Sequence, residues 1–254
     1  MPAIESRSEQ SRGVHSGLPN IFFVRWSLGE ALGIGAGFIV VMAAVGYLAR
    51  TDFITGYFGE TAALFILLPA VDIVLCGVIA WRVCSRGGAA ALGLHRSGLM
   101  RSLWRGLAVG LFCMPALWAL LVANSVIAHA FGVEVEPHPL MKTLEASVSP
   151  AFSAWLILYA VLVRPVVEEV YFRGFLYPAL RSAVSPGVAI FLNAVLFAAP
   201  HPQVTALMPL AALGALLAWM YERTGSLAAP VAMHVLNNGL AIAIFFLTQR
   251  FLQI

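Results

Sequence analysis

Long apolar stretches separated by short polar segments dominate the chain. A helix that crosses a bilayer needs about 20 mostly apolar residues. Seven stretches approach or exceed that length: Gly29–Ala49, Thr61–Val83, Leu103–Ala130, Pro150–Leu180, Pro186–Ala199, Val204–Tyr221 and Leu227–Leu247. A split of the long third or fourth stretch would give eight. The pattern therefore predicts an all-α protein, a polytopic transmembrane helical bundle with seven or eight spans.

The composition supports this interpretation. The chain is 61% hydrophobic and only 11% charged, whereas a soluble domain has about 25% charged residues, and its mean hydropathy is +0.89. The net charge of +3 is modest. Basic residues between apolar stretches are typical of topology determination rather than of nucleic-acid binding. We therefore expect an integral membrane protein whose surroundings are the lipid bilayer, with no nucleic-acid partner.

The arginine distribution predicts the orientation and the organisation of the chain. Arginines crowd the connection after the second stretch, so this loop is expected to be cytoplasmic; they are Arg82, Arg86, Arg96, Arg101 and Arg105. Because two spans precede the loop, the N-terminus is predicted to be cytoplasmic as well. We divide the chain into a polar tail (1–25), three N-terminal spans with their loops (26–148) and a C-terminal region (149–254) that contains polar motifs.

Three of the apolar stretches contain polar groups that are costly to bury. A charged side chain at the centre of a spanning helix costs roughly 2.5–3.5 kcal/mol. The groups lie in the fourth, fifth and seventh stretches and are Glu168, Glu169, Arg173, His201, His234 and Asn238. A helical rise of about 1.5 Å per residue places them within about one or two turns of the same depth. Such groups usually face a cavity and mark a functional site, so we expect an intramembrane active-site cavity.

Helical angles distinguish the two adjacent glutamates. Glu169 and Arg173 are four residues apart and well placed to pair. Glu168 points about 100° away, where Arg173 is poorly placed for it. A buried carboxylate without a cationic partner suits a general base. Arg164 leaves an alternative open, because it precedes Glu168 by four residues and would weaken the base if it paired with it, whereas a kink at Pro165 would turn it elsewhere.

At these residues the chain resembles the CPBP family, the CAAX protease and bacteriocin-processing group of ABI-type intramembrane endopeptidases. The family pattern is EExxxR, then FxxxH, then HxxxN or HxxxB. The three motifs occur here in that order, at Glu168–Arg173, Phe197–His201 and His234–Asn238. The similar region covers roughly the C-terminal two-fifths of the chain, and the first three spans contain no recognised motif. A single EExxxR would be weak support, but three motifs in order are specific.

The resemblance implies proteolysis within the membrane. By position in the motifs, Glu168 and His201 would activate a water, and His234 and Asn238 would stabilise the oxyanion. The chemistry agrees with these roles, because peptide hydrolysis needs a base-activated water and donors directed at the developing negative charge. Histidine and asparagine four residues apart share a helix face and can both donate.

The same residues leave the metal dependence open. Two histidines and one carboxylate form a catalytic zinc ligand set with an open position, which here would be Glu168, His201 and His234. Members of the family have been described both as metalloproteases and as glutamate-type enzymes. No HExxH motif forces a metal site on one helix. We favour catalysis without a metal or other cofactor, with zinc as the alternative.

Other polar residues in the apolar stretches are expected to support the site or the fold. Asn193 lies eight residues before His201, roughly on the same helix face. Asn193 and Arg164 are therefore candidates for the layer around the catalytic groups. Asp72 in the second stretch is expected to hydrogen-bond between helices rather than to act in catalysis.

The favoured function is an intramembrane endopeptidase that hydrolyses a membrane-anchored protein or peptide. One alternative is a non-catalytic membrane scaffold or immunity protein of the same fold, and a less favoured one is a proton-coupled transporter. The motif order and the lack of paired half-chain repeats argue against transport. The short loops favour a bacterial inner membrane, where prenylated substrates are not expected.

Overall fold

The computed structural model describes residues 24, 26–48, 51, 60–85, 92–94, 98–135, 138–147, 149–201 and 203–252. In this part of the chain there are eight helices and no β-strand: α1 (Leu28–Leu48), α2 (Glu60–Cys84), α3 (Leu99–Ala130), α4 (Pro139–Ala146), α5 (Pro150–Ala183), α6 (Pro186–Ala198), α7 (Leu207–Thr224) and α8 (Ala228–Leu252). The predicted polar tail (1–25), apart from residue 24, lies outside the described residues, and so do Arg86 and Arg96 of the arginine-rich loop.

The helices confirm the predicted all-α membrane bundle. Each of the seven apolar stretches corresponds to one helix, with ends that differ by a few residues. Among the described residues, α1, α3, α5 and α8 are long and apolar enough to cross a membrane by length and composition. Large apolar side chains such as Phe112 and Val126 on α3 point outward, as expected for surfaces that contact lipid.

Helix α4 was not predicted. It has only 8 residues and begins after His138, whose Nδ1 accepts a hydrogen bond of 3.2 Å from the Leu140 amide. Its first residue is Pro139, a position where the missing amide proton has no consequence. A helix this short carries too weak a hydropathy signal to be recognised in the sequence.

Helix α5 contains two π-helical turns. They are Tyr159–Val163 and Val170–Leu176, and they flank the α-helical segment Arg164–Glu169. The first turn precedes Pro165, which lacks the amide proton that a regular helix would use. Turns of this kind are often found at functional sites. The segment with both glutamates is therefore set off from the rest of the helix at each end.

Small residues allow α8 to approach α3 closely. These two helices form the most extensive helix pair in the described structure. A Cβ atom on Gly106 would overlap the backbone of Ala229, and one on Gly110 would lie 3.2 Å from Met233. Close packing through small residues is a common way to join membrane helices. It fixes the position of α8, the helix that carries the third motif.

The N-terminal helices pack against α5. The indole nitrogen of Trp26 donates to the Phe175 carbonyl over 2.9 Å, and the Tyr171 hydroxyl donates to the Ala31 carbonyl over 3.1 Å. The tyrosine hydroxyl reaches this carbonyl past Gly35, where a Cβ would overlap it. The N-terminal and C-terminal regions thus share one core, and the proposed division near residue 148 stays a prediction.

Candidate active site

A cavity of about 1600 Å³ lies among the helices. Its wall comes from all eight described helices and from the segment that follows α6. The four residues predicted to be catalytic all line it: Glu168, His201, His234 and Asn238. The fold therefore brings together three motifs that are up to 70 residues apart in the chain.

Glu169 and Arg173 form a sealed ion pair beside this cavity. Both side chains are fully buried, and Arg173 Nη1 lies 2.9 Å from Glu169 Oε1. The other terminal nitrogen of Arg173 donates to the Gly214 carbonyl over 2.9 Å. Its guanidinium carbon lies 4.4 Å from the centre of the Phe197 ring. The predicted pairing is confirmed, and the ring and the carbonyl offset part of the cost of burying the cation.

His234 connects this pair to the cavity. Its Nδ1 lies 2.8 Å from Glu169 Oε1. Because a carboxylate oxygen can only accept, Nδ1 carries the proton in this contact. The other ring nitrogen, Nε2, lies 3.8 Å from Glu168 Oε2. We call Glu169, Arg173 and His234 the inner cluster.

Glu168 belongs to a second network. Arg164 Nε donates to Glu168 Oε1 over 2.7 Å, and Arg164 Nη1 donates to Asp72 Oδ1 over 2.8 Å. The Tyr159 hydroxyl donates to the other Asp72 oxygen over 2.5 Å. We call Asp72, Tyr159, Arg164 and Glu168 the outer cluster. It joins α2 to α5 and reaches the cavity at the carboxylate of Glu168.

This network decides the alternative that the sequence left open. Arg164 pairs with Glu168, so of the two positions left open for this arginine the structure shows the one beside Glu168. The two residues are four apart within one α-helical segment, and Pro165 at its start does not turn the arginine away. Arg164 also neutralises Asp72, which is only 1% exposed. One cation therefore serves two carboxylates, and its attraction is divided between them.

His201 lies at the end of the second motif, where α6 has just ended. Its Nδ1 contacts the Phe197 carbonyl at 3.1 Å, and since a carbonyl only accepts, Nδ1 is the donor. The Phe197 ring lies between the two histidines, with centroids 5.5 Å from His201 and 5.7 Å from His234. The aromatic residue of the FxxxH motif thus packs against both imidazoles as well as against Arg173.

Asn238 and Asn193 bind the two π-helical turns of α5. Asn238 Nδ2 donates to the Ala160 carbonyl over 3.0 Å, and Asn193 Nδ2 donates to the Phe172 carbonyl over 2.8 Å. The irregular turns free backbone carbonyls that need donors inside a membrane. Asn237 in turn donates to Asn238 Oδ1 over 3.1 Å. Asn238 lines the cavity, whereas Asn193 is fully buried beside α5 and does not line it.

The zinc alternative requires three ligand side chains around one position. Among the described residues, no group of three or more histidine, cysteine, aspartate or glutamate side chains is arranged to hold a metal ion. The bonds to Arg164 and Glu169 leave Glu168 Oε2 and His234 Nε2 facing each other at 3.8 Å. Because no third ligand among the described residues is arranged with them, these residues as positioned do not form a three-ligand zinc site.

Sequence reasoning missed several groups that surround the site. Asp72 was expected to hydrogen-bond between helices, which it does with Tyr159, but its link to Glu168 through Arg164 was not foreseen. Tyr159 and Gln203, which line the cavity, were not singled out. Nothing in the local sequence marks them, because their significance depends on which helices are neighbours.

Taken together, the fold and the site define a helical membrane protein with a carboxylate, two imidazoles and an amide around one cavity. Residues 150–240 match the family described as type II CAAX prenyl endopeptidase Rce1-like. A protein of Bacillus subtilis (strain 168) named "Putative membrane peptidase YdiL" is 25% identical over 123 residues, which are 48% of this chain and 49% of that protein. The chain thus spans about half the length of this curated relative. No solved structure shows a significant match.

These matches confirm the resemblance to the CPBP family of membrane proteases that the three motifs indicated. At the level of the family they support an intramembrane protease. The roles of individual residues stay predictions.

Proposed function

We propose that this chain is an endopeptidase that hydrolyses a peptide bond of a membrane-anchored protein or peptide inside the bilayer. The observation that carries the proposal is the 3.8 Å separation between Glu168 Oε2 and His234 Nε2 at the cavity wall. This distance is too long for a direct hydrogen bond. It is short enough for one water molecule to contact both atoms, as polar groups more than 3.5 Å apart often do.

In the proposed reaction, Glu168 is the general base. The water oxygen attacks the substrate carbonyl carbon while its proton passes to Glu168 Oε2, and His201 helps to orient the water. The C–N bond then breaks, and the departing amine takes a proton from Glu168. Two products form, an acid and an amine, and the enzyme returns to its starting protonation state. General acid–base catalysis of this kind contributes about 10²–10⁴-fold to a rate.

The inner cluster supports the oxyanion in this proposal. The bond from Nδ1 to Glu169 orients His234 so that Nε2 faces the cavity, and in this proposal an Nε2–H donates to the developing negative charge. Arg173 holds Glu169 in place. Asn238 uses one amide proton for Ala160, and its second is the other proposed donor.

The proposal includes a location. We place the protein in a bacterial inner membrane with its N-terminus in the cytoplasm, on the basis of the arginine distribution and short loops. Catalysis without a metal is the favoured form. Treatment of the purified protein with a chelator should leave cleavage unchanged, and a loss of cleavage that added zinc restores would contradict this part.

The test of the function compares membrane proteomes. Cells with the wild-type protein, with Glu168→Gln and with Glu145→Gln are fractionated, and membrane proteins are identified with their termini. Glu145 is a matched control on α4, where it contacts Gln249. We expect at least one membrane-anchored protein to stay uncleaved in the Glu168→Gln cells alone. Identical termini in all three, or proton flux without cleavage by the reconstituted protein, would reject the endopeptidase.

A further inference from the structure

Most hydrogen-bond donors at the cavity wall are already engaged by the protein. Arg164 binds two carboxylates, and His201 donates to the Phe197 carbonyl. Asn238 donates to Ala160, and Asn237 donates to Asn238. A peptide substrate must nevertheless be held by its backbone, because a water can attack only a carbonyl that is fixed within about 3–3.5 Å of it.

Gln203 is the exception among the amides that line the cavity in the described structure. Its side-chain nitrogen and oxygen are both buried, and neither has a hydrogen-bond partner in the part of the chain that the structure describes. The residue lies two positions after His201, on the segment between α6 and the short 3-10 turn Val204–Ala206. Leaving a buried polar group without a partner is costly. Such a group in a native protein calls for an explanation, and a bound substrate that supplies the missing partners is one.

The chemistry of a primary amide specifies the ligand. It presents one acceptor and two donors side by side, which complements the carbonyl and the N–H of a peptide backbone. In a helical substrate these backbone groups are bonded within the helix, and only an extended segment leaves them available. The match is therefore to an extended peptide and not to an intact transmembrane helix.

We propose that Gln203 binds the main chain of the substrate next to the scissile bond and holds that segment in an extended conformation. This inference rests on the proposed endopeptidase function and adds a substrate-binding residue and a substrate conformation to it. Gln203 donates from Nε2 to a substrate carbonyl and accepts at Oε1 from a substrate N–H. Recognition of this kind is independent of side-chain sequence, so it selects for an unwound segment.

The experiment uses the full-length protein in detergent micelles. The probe is a synthetic peptide that covers the cleavage site of the protein that accumulates in Glu168→Gln cells. Gln203→Met removes both hydrogen-bonding atoms while keeping a long side chain, and Gln249→Met is the same change outside the cavity. We expect Gln203→Met to lower kcat/KM roughly 10- to 100-fold, the equivalent of losing two ordinary hydrogen bonds. Gln249→Met should retain the wild-type value.

A methylation scan of the probe separates binding from a structural role. Single N-methyl groups are placed on each of the four peptide units nearest the cleavage site. The wild type should cleave the probe that is methylated at the unit contacting Gln203 about 10-fold more slowly than the unmethylated probe. For Gln203→Met, methylation of that unit should have no further effect. A residue that only supports the fold would lower cleavage of every probe by the same factor.

The outcomes separate this inference from the proposed function. If Gln203→Met cleaves as fast as wild type, or if methylation affects both proteins equally at every position, Gln203 does not bind the backbone. If Glu168→Gln cleaves the unmethylated probe at the wild-type rate, the endopeptidase mechanism itself fails. Folding is checked by thermal unfolding in the same detergent, where Gln203→Met should match the wild type.

Discussion

The inner and outer clusters are each centred on a glutamate–arginine pair of α5, and they differ in what surrounds that pair. Each contains a glutamate and an arginine four residues apart on α5, in opposite order along the chain. The inner pair is fully buried, whereas the outer arginine is 28% exposed and its glutamate 12% exposed. The inner pair is enclosed by Phe197, Gly214 and His234, and the outer pair reaches the cavity and Asp72.

The comparison shows that spacing determines which charges pair and that surroundings determine what the pair can do. A sealed pair has no access to water or substrate, so it can only stabilise and orient. A pair at a cavity wall can exchange protons with a bound molecule. Adjacent glutamates therefore receive different proposed roles because their side chains leave the helix about 100° apart.

The largest expected effect is on catalysis at the outer cluster. Glu168→Gln should lower the cleavage rate about 10²–10⁴-fold, because it removes the proposed base without changing the side-chain volume. Thermal unfolding in detergent should change little. The matched variant Glu169→Gln should instead lower thermal stability, because it weakens the bonds to Arg173 and His234. If the two variants behaved alike in both assays, the division between the clusters would be wrong.

The next effect is on stability at the inner cluster. Arg173→Met should lower the free energy of unfolding by about 3–5 kcal/mol, because it leaves a buried carboxylate without its cation. The matched change is Arg164→Met in an Asp72→Asn background, because Arg164 also neutralises the buried Asp72. There the loss should be smaller, since Glu168 can still contact water in the cavity. The free energy is measured by denaturation of the purified protein in mixed micelles. Equal losses for the two arginines would contradict the difference in enclosure.

A third prediction concerns the packing that positions the inner cluster. Gly106→Ala should lower the free energy of unfolding by about 1–3 kcal/mol, the usual cost of overpacking. The added methyl group would overlap the Ala229 backbone near the start of α8, the helix that carries His234. Gly37→Ala on α1 is the control, because a Cβ there meets nothing within 4 Å. Both are compared by the same denaturation assay, and an equal response would show that α3 and α8 can separate without loss.

The smallest effect is the coupling between α2 and the proposed base. A double-mutant cycle measures this coupling. The cleavage rate is compared for the wild type, Asp72→Asn, Arg164→Gln and the double variant. Residues that share one network typically give an interaction energy of about 0.5–3 kcal/mol. We expect a value in this range, because Arg164 binds Asp72 and Glu168 at once. Additive effects would mean that Asp72 acts only on the packing of α2 against α5.

Much of the fold could be predicted because a membrane imposes a simple rule. Backbone groups in hydrocarbon must bond within their own segment, so apolar stretches of sufficient length become helices. This rule gave seven helices with nearly correct ends. It did not give α4, which is short, or the π-helical turns of α5, because both depend on local bonding that hydropathy does not record.

The site shows the same limit. The residues Glu168, His201, His234 and Asn238 were selected from motifs alone, and the fold does place them around one cavity. The partner of Glu168 was left open, since a four-residue spacing permits a pair but does not require it. The involvement of Asp72 could not be inferred, because no sequence pattern places α2 beside α5.

The sequence alone predicts the apolar helices, the resemblance to a family of membrane proteases, and the two sets of charges that helical spacing can join. Only the tertiary structure shows that Arg164 is shared by two carboxylates, that His234 binds Glu169 while facing Glu168, and that the Gln203 amide has no partner among the described residues. The physical reason is the separation along the chain between the residues that interact. Helical periodicity acts over four residues, whereas burial and pairing between α2, α5 and α8 depend on contacts between distant parts of the chain.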